Sequence, residues 1–568
     1  MRAIVRRARA LAEWLVLTLA LPLRLARRRR RARDTYPRWS LGGASGGDWP
    51  TRRPKVLLAT SVGGFVPGAA IEGLLAAALT ARGAECHALL CDAALPACLE
   101  CDRRLFPRPA ALAGRGGPAR LCSTCFEPAA RMYGGLAVTL HRYGSLLEPA
   151  ERDEARRRSR EIPRDRIPEF RLDGLAVGEH ALAGALRFFA RGDLAGEPAG
   201  EAVLRRYLEA AILTARAVER LCRRERYDVA VFHHGIYVPQ GIVGEVARRH
   251  GMRVVNWNPA YRKQCFIFSH GDTYHHTLMA EPQSVWEDLP WTPRIERRLL
   301  EYLRSRWEGT QDWIWFHERP RTDVPAIVRE LGLDPTRPII GLLTNVVWDA
   351  QLHYPANAFP SMMDWIVRTV EYFRNRPDLQ LVIRVHPAEV RGSVPSRQRV
   401  VEQLGRDVPA LPPNVFVIPP DSRISTYAIM AECDAALIYG TKTGVELTSV
   451  GIPVIVAGEA WIRNKGLTRD AASAAHYFQL LDELPYRTRM DPASVERARK
   501  YAYHFFFRRM IPIAATQPVP GWPPFRVATD GPDSVAPGRD PGLDVICRGI
   551  LDGSPFIFPA ERLQETGP

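Results

Sequence analysis

Residues 433–458 read CDAALIYGTKTGVELTSVGIPVIVAG, and this stretch decides the fold. An apolar run from Ala435 to Ile438 stops at Gly440, and Thr441-Lys442-Thr443-Gly444 turns the chain. Val445-Glu446-Leu447 then opens a helical pattern, and Gly451-Ile452-Pro453 leads back into a second apolar run. Strand, turn, helix, turn, strand is the repeating unit of a parallel sheet. Upstream, 338–350 (PIIGLLTNVVWDA), 379–389 (LQLVIRVHPAE) and 414–422 (NVFVIPPDS) add short apolar strands alternating with helical stretches. The second half of the chain is therefore expected to be one α/β unit.

A similar unit opens the body. Residues 54–92 (PKVLLATSVGGFVPGAAIEGLLAAALTARGAECHALLCD) place Gly63-Gly64 between an apolar run and a helical pattern. The pattern resumes at 227–261 (YDVAVFHHGIYVPQGIVGEVARRHGMRVVNWNPAY), with Val229 to Phe232 as a buried strand. Residues 150–225 carry helical periodicity and are expected to cover the sheet. A chain of 568 residues exceeds one core, at roughly 100 to 200 residues per domain. The expected architecture is α/β: two Rossmann-like domains, 54–325 and 326–568, facing a cleft in the GT-B manner, with a Cys-rich insertion at about 91–130. A ligand cleft is expected outside the carboxyl ends of the strands.

The formal charge is +16, and residues 1–55 account for +12 of it with 15 Lys/Arg against Glu13, Asp34 and Asp48. Only +4 remains for the body, which argues against a nucleic-acid groove, since that needs clustered cations on the folded surface. Within residues 1–53, the apolar run from Leu11 to Leu25 is interrupted by Glu13, Pro22 and Arg24. It is shorter than the roughly 20 residues that span a bilayer. Arg27 to Arg31 occupy the place of a signal-cleavage site. Residues 1–33 are expected to lie on an anionic membrane surface, Trp14 and the leucines in lipid and the arginines at headgroups. The expected location is cytoplasmic, peripheral on the inner face of the cytoplasmic membrane. A disordered basic arm is the bland alternative.

Ten cysteines are present, six of them between Cys86 and Cys125. Without a signal peptide, a reducing compartment favours metal ligation over disulfides. Cys98-x2-Cys101 and Cys122-x2-Cys125 stand 20 residues apart, the spacing of two zinc knuckles. Four thiolates saturate zinc, so the ion is expected to be structural and no catalytic metal is required. An iron–sulfur cluster uses similar ligands, and Cys91 can replace one of the four.

The chemistry concentrates in the second half. Arg384-Val385-His386-Pro387 ends one strand, Asp421-Ser422 precedes a helix, and Thr441-Lys442-Thr443-Gly444 opens another. A small, glycine-flanked turn at a helix start offers backbone N–H groups to a phosphate, and Lys442 adds a charge. Ordinary strand capping and loop chemistry is the alternative for either motif alone. Together, RVHPAE, PPDSRIST and CDAALIYGTKTGVELTSVGIPVIVAGEAWIRNKGLT resemble the capsule polysaccharide biosynthesis family, which includes capsule Kdo transferases, over roughly residues 330–470.

That resemblance implies a glycosyltransferase of surface or capsular polysaccharide synthesis using a nucleotide sugar, CMP-linked by preference, and a glycan or lipid-linked acceptor. It implies that His386 and Thr443/Gly444 hold the phosphates and Glu446 the ribose, with Arg384, Ser422 and Lys442 beside them. Related sequences usually show Ser-x-x-Gly-x-Glu-Ala where this chain has Thr441-Lys442-Thr443-Gly444-Val445-Glu446-Leu447, so the donor can differ. His233 and His234 at a strand end, or Asp272, are candidates to take the acceptor's proton. An enzyme that retains configuration, as the Kdo relatives do, needs no conventional base. A polyol-phosphate transferase and a non-catalytic scaffold of an assembly complex are the competing functions.

Overall fold

A computed structural model describes residues 53–562 except 116–118, 272, 310, 314–319, 351, 353, 522 and 530, together with 15–16, 18–27, 30 and 36. Its first sheet contains β1 (Lys55–Ser61), β2 (Glu85–Leu90), β3 (Thr139–Arg142), β4 (Val229–His233), β5 (Arg253–Pro259) and β6 (Cys265–His270). The second contains β7 (Ile339–Leu343), β8 (Gln380–Arg384), β9 (Val415–Ile418), β10 (Ala435–Ile438), β11 (Val454–Val456) and β12 (Arg469–Asp470). Its order is β12-β11-β10-β7-β8-β9, every pair parallel. Continuous apolar runs rather than alternating ones form these strands because helices cover both faces.

The helices that position the cleft are α1 (Val66–Thr80), α2 (Val177–Phe189), α3 (Gly200–Arg224), α4 (Pro293–Glu308), α5 (Thr426–Ala431) and α6 (Thr443–Ser449). Pro67 stands in the first turn of α1, where its missing N–H costs nothing. Thr292 caps α4 by accepting from the Ile295 N–H, and Ser425 caps α5 by accepting from the Ala428 N–H. α2 and α3 pack together on the first sheet, Gly184 lying against the ring of Tyr207 where a Cβ would meet Cδ1 at 2.4 Å.

The first sheet runs β13-β6-β5-β4-β1-β2-β3, and its outermost strand, β13 (Ile511–Pro512), comes from near the end of the chain. β13 pairs antiparallel with β6, and β6 antiparallel with β5. The segment after about residue 500 thus adds to the first unit and does not extend the second, although the sequence places everything from 326 onward together. Phe505, Ile511, Phe525 and Ile546 are buried in one cluster with Val56, Ala77 and Cys86.

Residues 18–27 are helical, and Val16, Leu19 and Leu23 project into solvent. Arg24 donates to the Arg104 carbonyl at 3.1 Å, tying this helix to the Cys-rich segment. Among the described residues no helix is long and apolar enough to cross a membrane.

Candidate active site

A cavity of about 480 Å³ separates the two sheets at the carboxyl ends of their strands. From the second unit it is lined by Thr344, Asn345, Asp349, Arg384, His386, Ser425, Tyr427 and Thr441 to Thr443. The first unit contributes Phe65, Arg187, His233, His234, Tyr237 and Tyr261. Residues read from three separate motifs, with Arg384-His386, Thr441-Lys442-Thr443 and His233-His234 at their centres, meet in one place because parallel strands deliver all their following loops to one edge.

His386 follows β8 by two residues. Its N–H donates to Thr344 Oγ1 at 3.0 Å, and its Nδ1 accepts from the Ala388 N–H at 3.1 Å. An acceptor at Nδ1 assigns the neutral ring's proton to Nε2, which is therefore a donor. Arg384 is buried and spends its guanidinium on the loop before α5. It donates to the Pro419 and Ser422 carbonyls and to Thr426 Oγ1 at 2.5, 3.3 and 3.3 Å. Burial, then the neighbouring Arg391, lower its pKa to about 10. Arg384 therefore shapes the cleft wall, and Ser422, whose Oγ accepts from the Ile424 N–H at 3.2 Å, closes the adjoining turn without lining the cavity.

At the α6 turn, Thr443 N–H donates to Thr441 Oγ1 at 3.3 Å, and the two hydroxyls lie 3.1 Å apart. Lys442 Nζ bonds Glu446 Oε1 at 2.6 Å and stands 4.6 Å from the centre of the Tyr261 ring. Glu446 is buried, and Arg306 from α4 reaches it at 3.2 Å. Burial alone would raise the Glu446 pKa, yet Arg306, Lys442 and the Tyr427 hydroxyl hold it down at about 2. Glu446 thus ties α4 to α6 and is not among the cavity-lining residues. Trp307 and Tyr427 stack beside this cluster at 5.7 Å and 10°.

The missing Cβ at Gly444 serves packing. A Cβ there would meet Ile438 Cδ1 at 2.6 Å and Ile462 Cγ2 at 3.2 Å, so the glycine lets α6 close onto β10 and β11.

On the opposite wall His233 ends β4, its ring 4.5 Å from Phe65 and 5.1 Å from Trp257. His234 follows with φ +65°. Burial is the main cause that lowers both imidazoles, His233 well below the usual range and His234 to about 4, where Asp349 pulls it partly back. Asp272 lies outside the described residues. His270, in the same sequence run, donates to the Ser554 carbonyl at 2.9 Å and stacks on Phe556, away from the cavity.

The sequence reading overlooked Asp349, Tyr237, Arg187 and Arg306. Asp349 follows β7, and its place beyond a strand's carboxyl end was a usable signal. Arg306 was not foreseeable as a site residue, because the partner that brings it to the α6 turn, Glu446, is over a hundred residues away.

The cysteines occupy one small module beside the cleft, and Leu99 lines the cavity. Cys101 is buried; the hydrogen-bonded Cys98 thiol and burial raise its pKa, with Cys122 acting in the same direction. Cys125 Sγ accepts from the Gly64 N–H at 2.9 Å. Among the described residues no three Cys, His, Asp or Glu side chains are placed to hold a metal ion.

The polar wall beyond β8 and β10 coincides with a family signature. Residues 329–495 match the capsule polysaccharide biosynthesis protein family. This capsule-family region spans the whole second sheet and holds His386 and Thr441 to Thr443. No curated protein matches the sequence. Among solved structures, the β-Kdo 2,4-transferase KpsC of Thermosulfurimonas dismutans is 14% identical, with a TM-score of 0.31 over 48% of this chain and 79% of its own. The UDP-GlcNAc 2-epimerase of Neisseria meningitidis, bound to UDP-GlcNAc, is 12% identical, with a TM-score of 0.24 over 51% and 80%. That of Methanocaldococcus jannaschii is 10% identical, with a TM-score of 0.23 over 78% and 98%.

Proposed function

We propose that this protein is a glycosyltransferase of surface or capsular polysaccharide synthesis that takes a sugar from a nucleotide-activated donor, cytidine-linked by preference, and passes it to a glycan or lipid-linked acceptor. The observation that carries this reading is the convergence of His386 and the Thr441–Thr443 turn on one cavity within the capsule-family region. A diphosphate or phosphodiester needs donors on several sides, and the cavity offers the His386 ring, the two threonine hydroxyls and the Lys442 ammonium. Domains 54–325 and 326–500 supply the acceptor and donor walls in this reading.

Calorimetric titration with CMP, CDP, UDP and GDP tests it. One nucleotide, CMP or CDP, is expected to bind, and His386→Ala should cost about 1.5–3 kcal/mol, a loss of roughly ten- to a hundredfold in affinity. Full affinity in a folded His386→Ala variant would put the nucleotide elsewhere. Gly444→Val is a poor probe of the same site, since its branched side chain collides with Ile438.

We also propose that Cys98, Cys101, Cys122 and Cys125 draw together around one structural zinc ion. Elemental analysis of purified protein should find about one zinc per chain, and chelation should lower the melting temperature. Metal-free protein indifferent to chelators rules the zinc out.

Residues 1–33 are proposed to bind anionic membranes through the exposed Val16, Leu19 and Leu23 and the flanking arginines. Deleting them should abolish co-sedimentation with phosphatidylglycerol vesicles while leaving nucleotide affinity unchanged. Co-sedimentation that survives the deletion contradicts this role.

A further inference from the structure

On the transferase reading the acceptor lies against the first unit, and the charges of the cavity show what that wall asks of it. Four cations line the cavity: Arg187, Arg306, Arg384 and Lys442. Three of them are taken by the protein itself. Arg306 pairs with Asp312 and Glu446, and Lys442 with Glu446. Arg384 donates to the Pro419 and Ser422 carbonyls and to Thr426 Oγ1.

Arg187, in the last turn of α2, is different. Its Nη1 donates to the Leu99 carbonyl, and its guanidinium stands 5.4 Å from the centre of the Tyr237 ring. Among the described residues no carboxylate lies within ion-pair distance of it, and Nε and Nη2 have no hydrogen-bond partner. Burial opposes the charge, and Asp102 and Glu100 support it only from farther off, Asp102 being paired with Arg104. Asp349 meets the first unit at the Tyr237 hydroxyl instead.

A half-buried guanidinium has lost part of its hydration, and an anion in the cavity offsets that loss. Its planar fork matches the two oxygens of a carboxylate or phosphate. The fork is also held before any ligand arrives. α2 is seated on α3 where Gly184 meets Tyr207, Leu99 fixes Nη1, and the Tyr237 ring lies beside the cation. Such preorganisation lowers the ordering cost of binding. His233 and His234 on the same wall are kept neutral by burial, so the positive charge there comes from Arg187.

We propose, resting on the transferase reading, that Arg187 is an acceptor-binding residue and that the acceptor is anionic, presenting a sugar carboxylate or a phosphate group to Nε and Nη2. No bond forms or breaks at this subsite. Arg187 selects which glycan is accepted and fixes how it lies against the first unit.

The test titrates wild type, Arg187→Gln and Arg187→Lys with methyl glucuronide, glycerol phosphate and methyl glucoside, with and without saturating CMP, and reads binding by ligand-observed NMR. Wild type should bind one of the two anions at least tenfold more tightly than the neutral glucoside, and the preferred anion tells a sugar carboxylate from a phosphate. Arg187→Gln should lose roughly ten- to a hundredfold of that affinity. Arg187→Lys, which keeps the charge without the fork, should lose less. Both variants should bind CMP as wild type does, because the nucleotide lies on the other wall. Wild type that binds no anion, or binds the glucoside as tightly, overturns the inference without recourse to a variant. So does a folded Arg187→Gln protein with wild-type affinity for the anion, or CMP that displaces the anion, which would give Arg187 to the donor's phosphates. In each of those cases CMP binding by wild type leaves the transferase reading standing. Wild-type protein that binds no nucleotide removes that reading, and the acceptor subsite with it.

Discussion

Glu446→Ala should destabilise the protein by about 3–5 kcal/mol, because it strands two cations in a buried site with one carboxylate fewer. Lys442 and Arg306 both converge on that carboxylate, and each disfavours the other's charge once it is gone. Asp312 remains as a partner for Arg306, while Lys442 loses its partner at 2.6 Å. Urea unfolding should show the loss as a lower midpoint with the slope kept. Adding Lys442→Met to Glu446→Ala should recover part of it, since an uncharged side chain of similar length then fills the space. A Glu446→Ala protein that unfolds with wild type would mean that the cluster is solvated and weak.

The second large effect is a dependence of stability on pH. Glu72 of α1 is buried and accepts from Trp257 Nε1 at 3.0 Å. Burial raises its pKa from 4.5 to about 7, and the Thr60 and Trp257 side chains and the His233 backbone restrain the rise. The folded state therefore holds this proton more tightly than the unfolded chain does. The stabilising contribution is complete below pH 4.5 and is lost as pH climbs through about 7. Glu72→Gln keeps the neutral form at every pH. The variant should gain on wild type by on the order of 3 kcal/mol between pH 4.5 and 8, measured by denaturant unfolding at several pH values. A gap that stays flat across this range would place Glu72 in contact with water.

How far the sequence carried depended on whether the deciding interactions were local. β4, β8 and β10 were legible because each is a short apolar run closed by Gly, His or Pro, and those signals lie within a few residues of one another. The meeting of His386 with Thr441–Thr443 followed from topology, since consecutive parallel strands end at the same edge. The resemblance implies Glu446 as a ribose ligand, whereas nothing in a local window connects it to Arg306, with which it pairs. Gly444 belongs to a turn whose backbone N–H groups suit a phosphate, and the packing that requires glycine there, Ile438 and Ile462 against the missing Cβ, involves a residue beyond the local window. The cysteine spacing was regular, but whether Cys125 faces its partners or the Gly64 N–H depends on how the module sits against the first sheet.

The return of the chain to the first sheet at Ile511–Pro512 means that the polypeptide passes between the two units twice, once near 309–338 and again before residue 511. A doubly bridged body cannot be divided by a single cut. A fragment starting at residue 326 would carry Phe525 and Ile546 without the first-unit surface that shelters them, and a fragment ending at 325 would bare the backbone edge of β6. Each piece taken alone is a precipitation hazard, so the smallest dependable unit for expression or crystallisation begins at the first strand and runs through the helix at Pro541–Asp552.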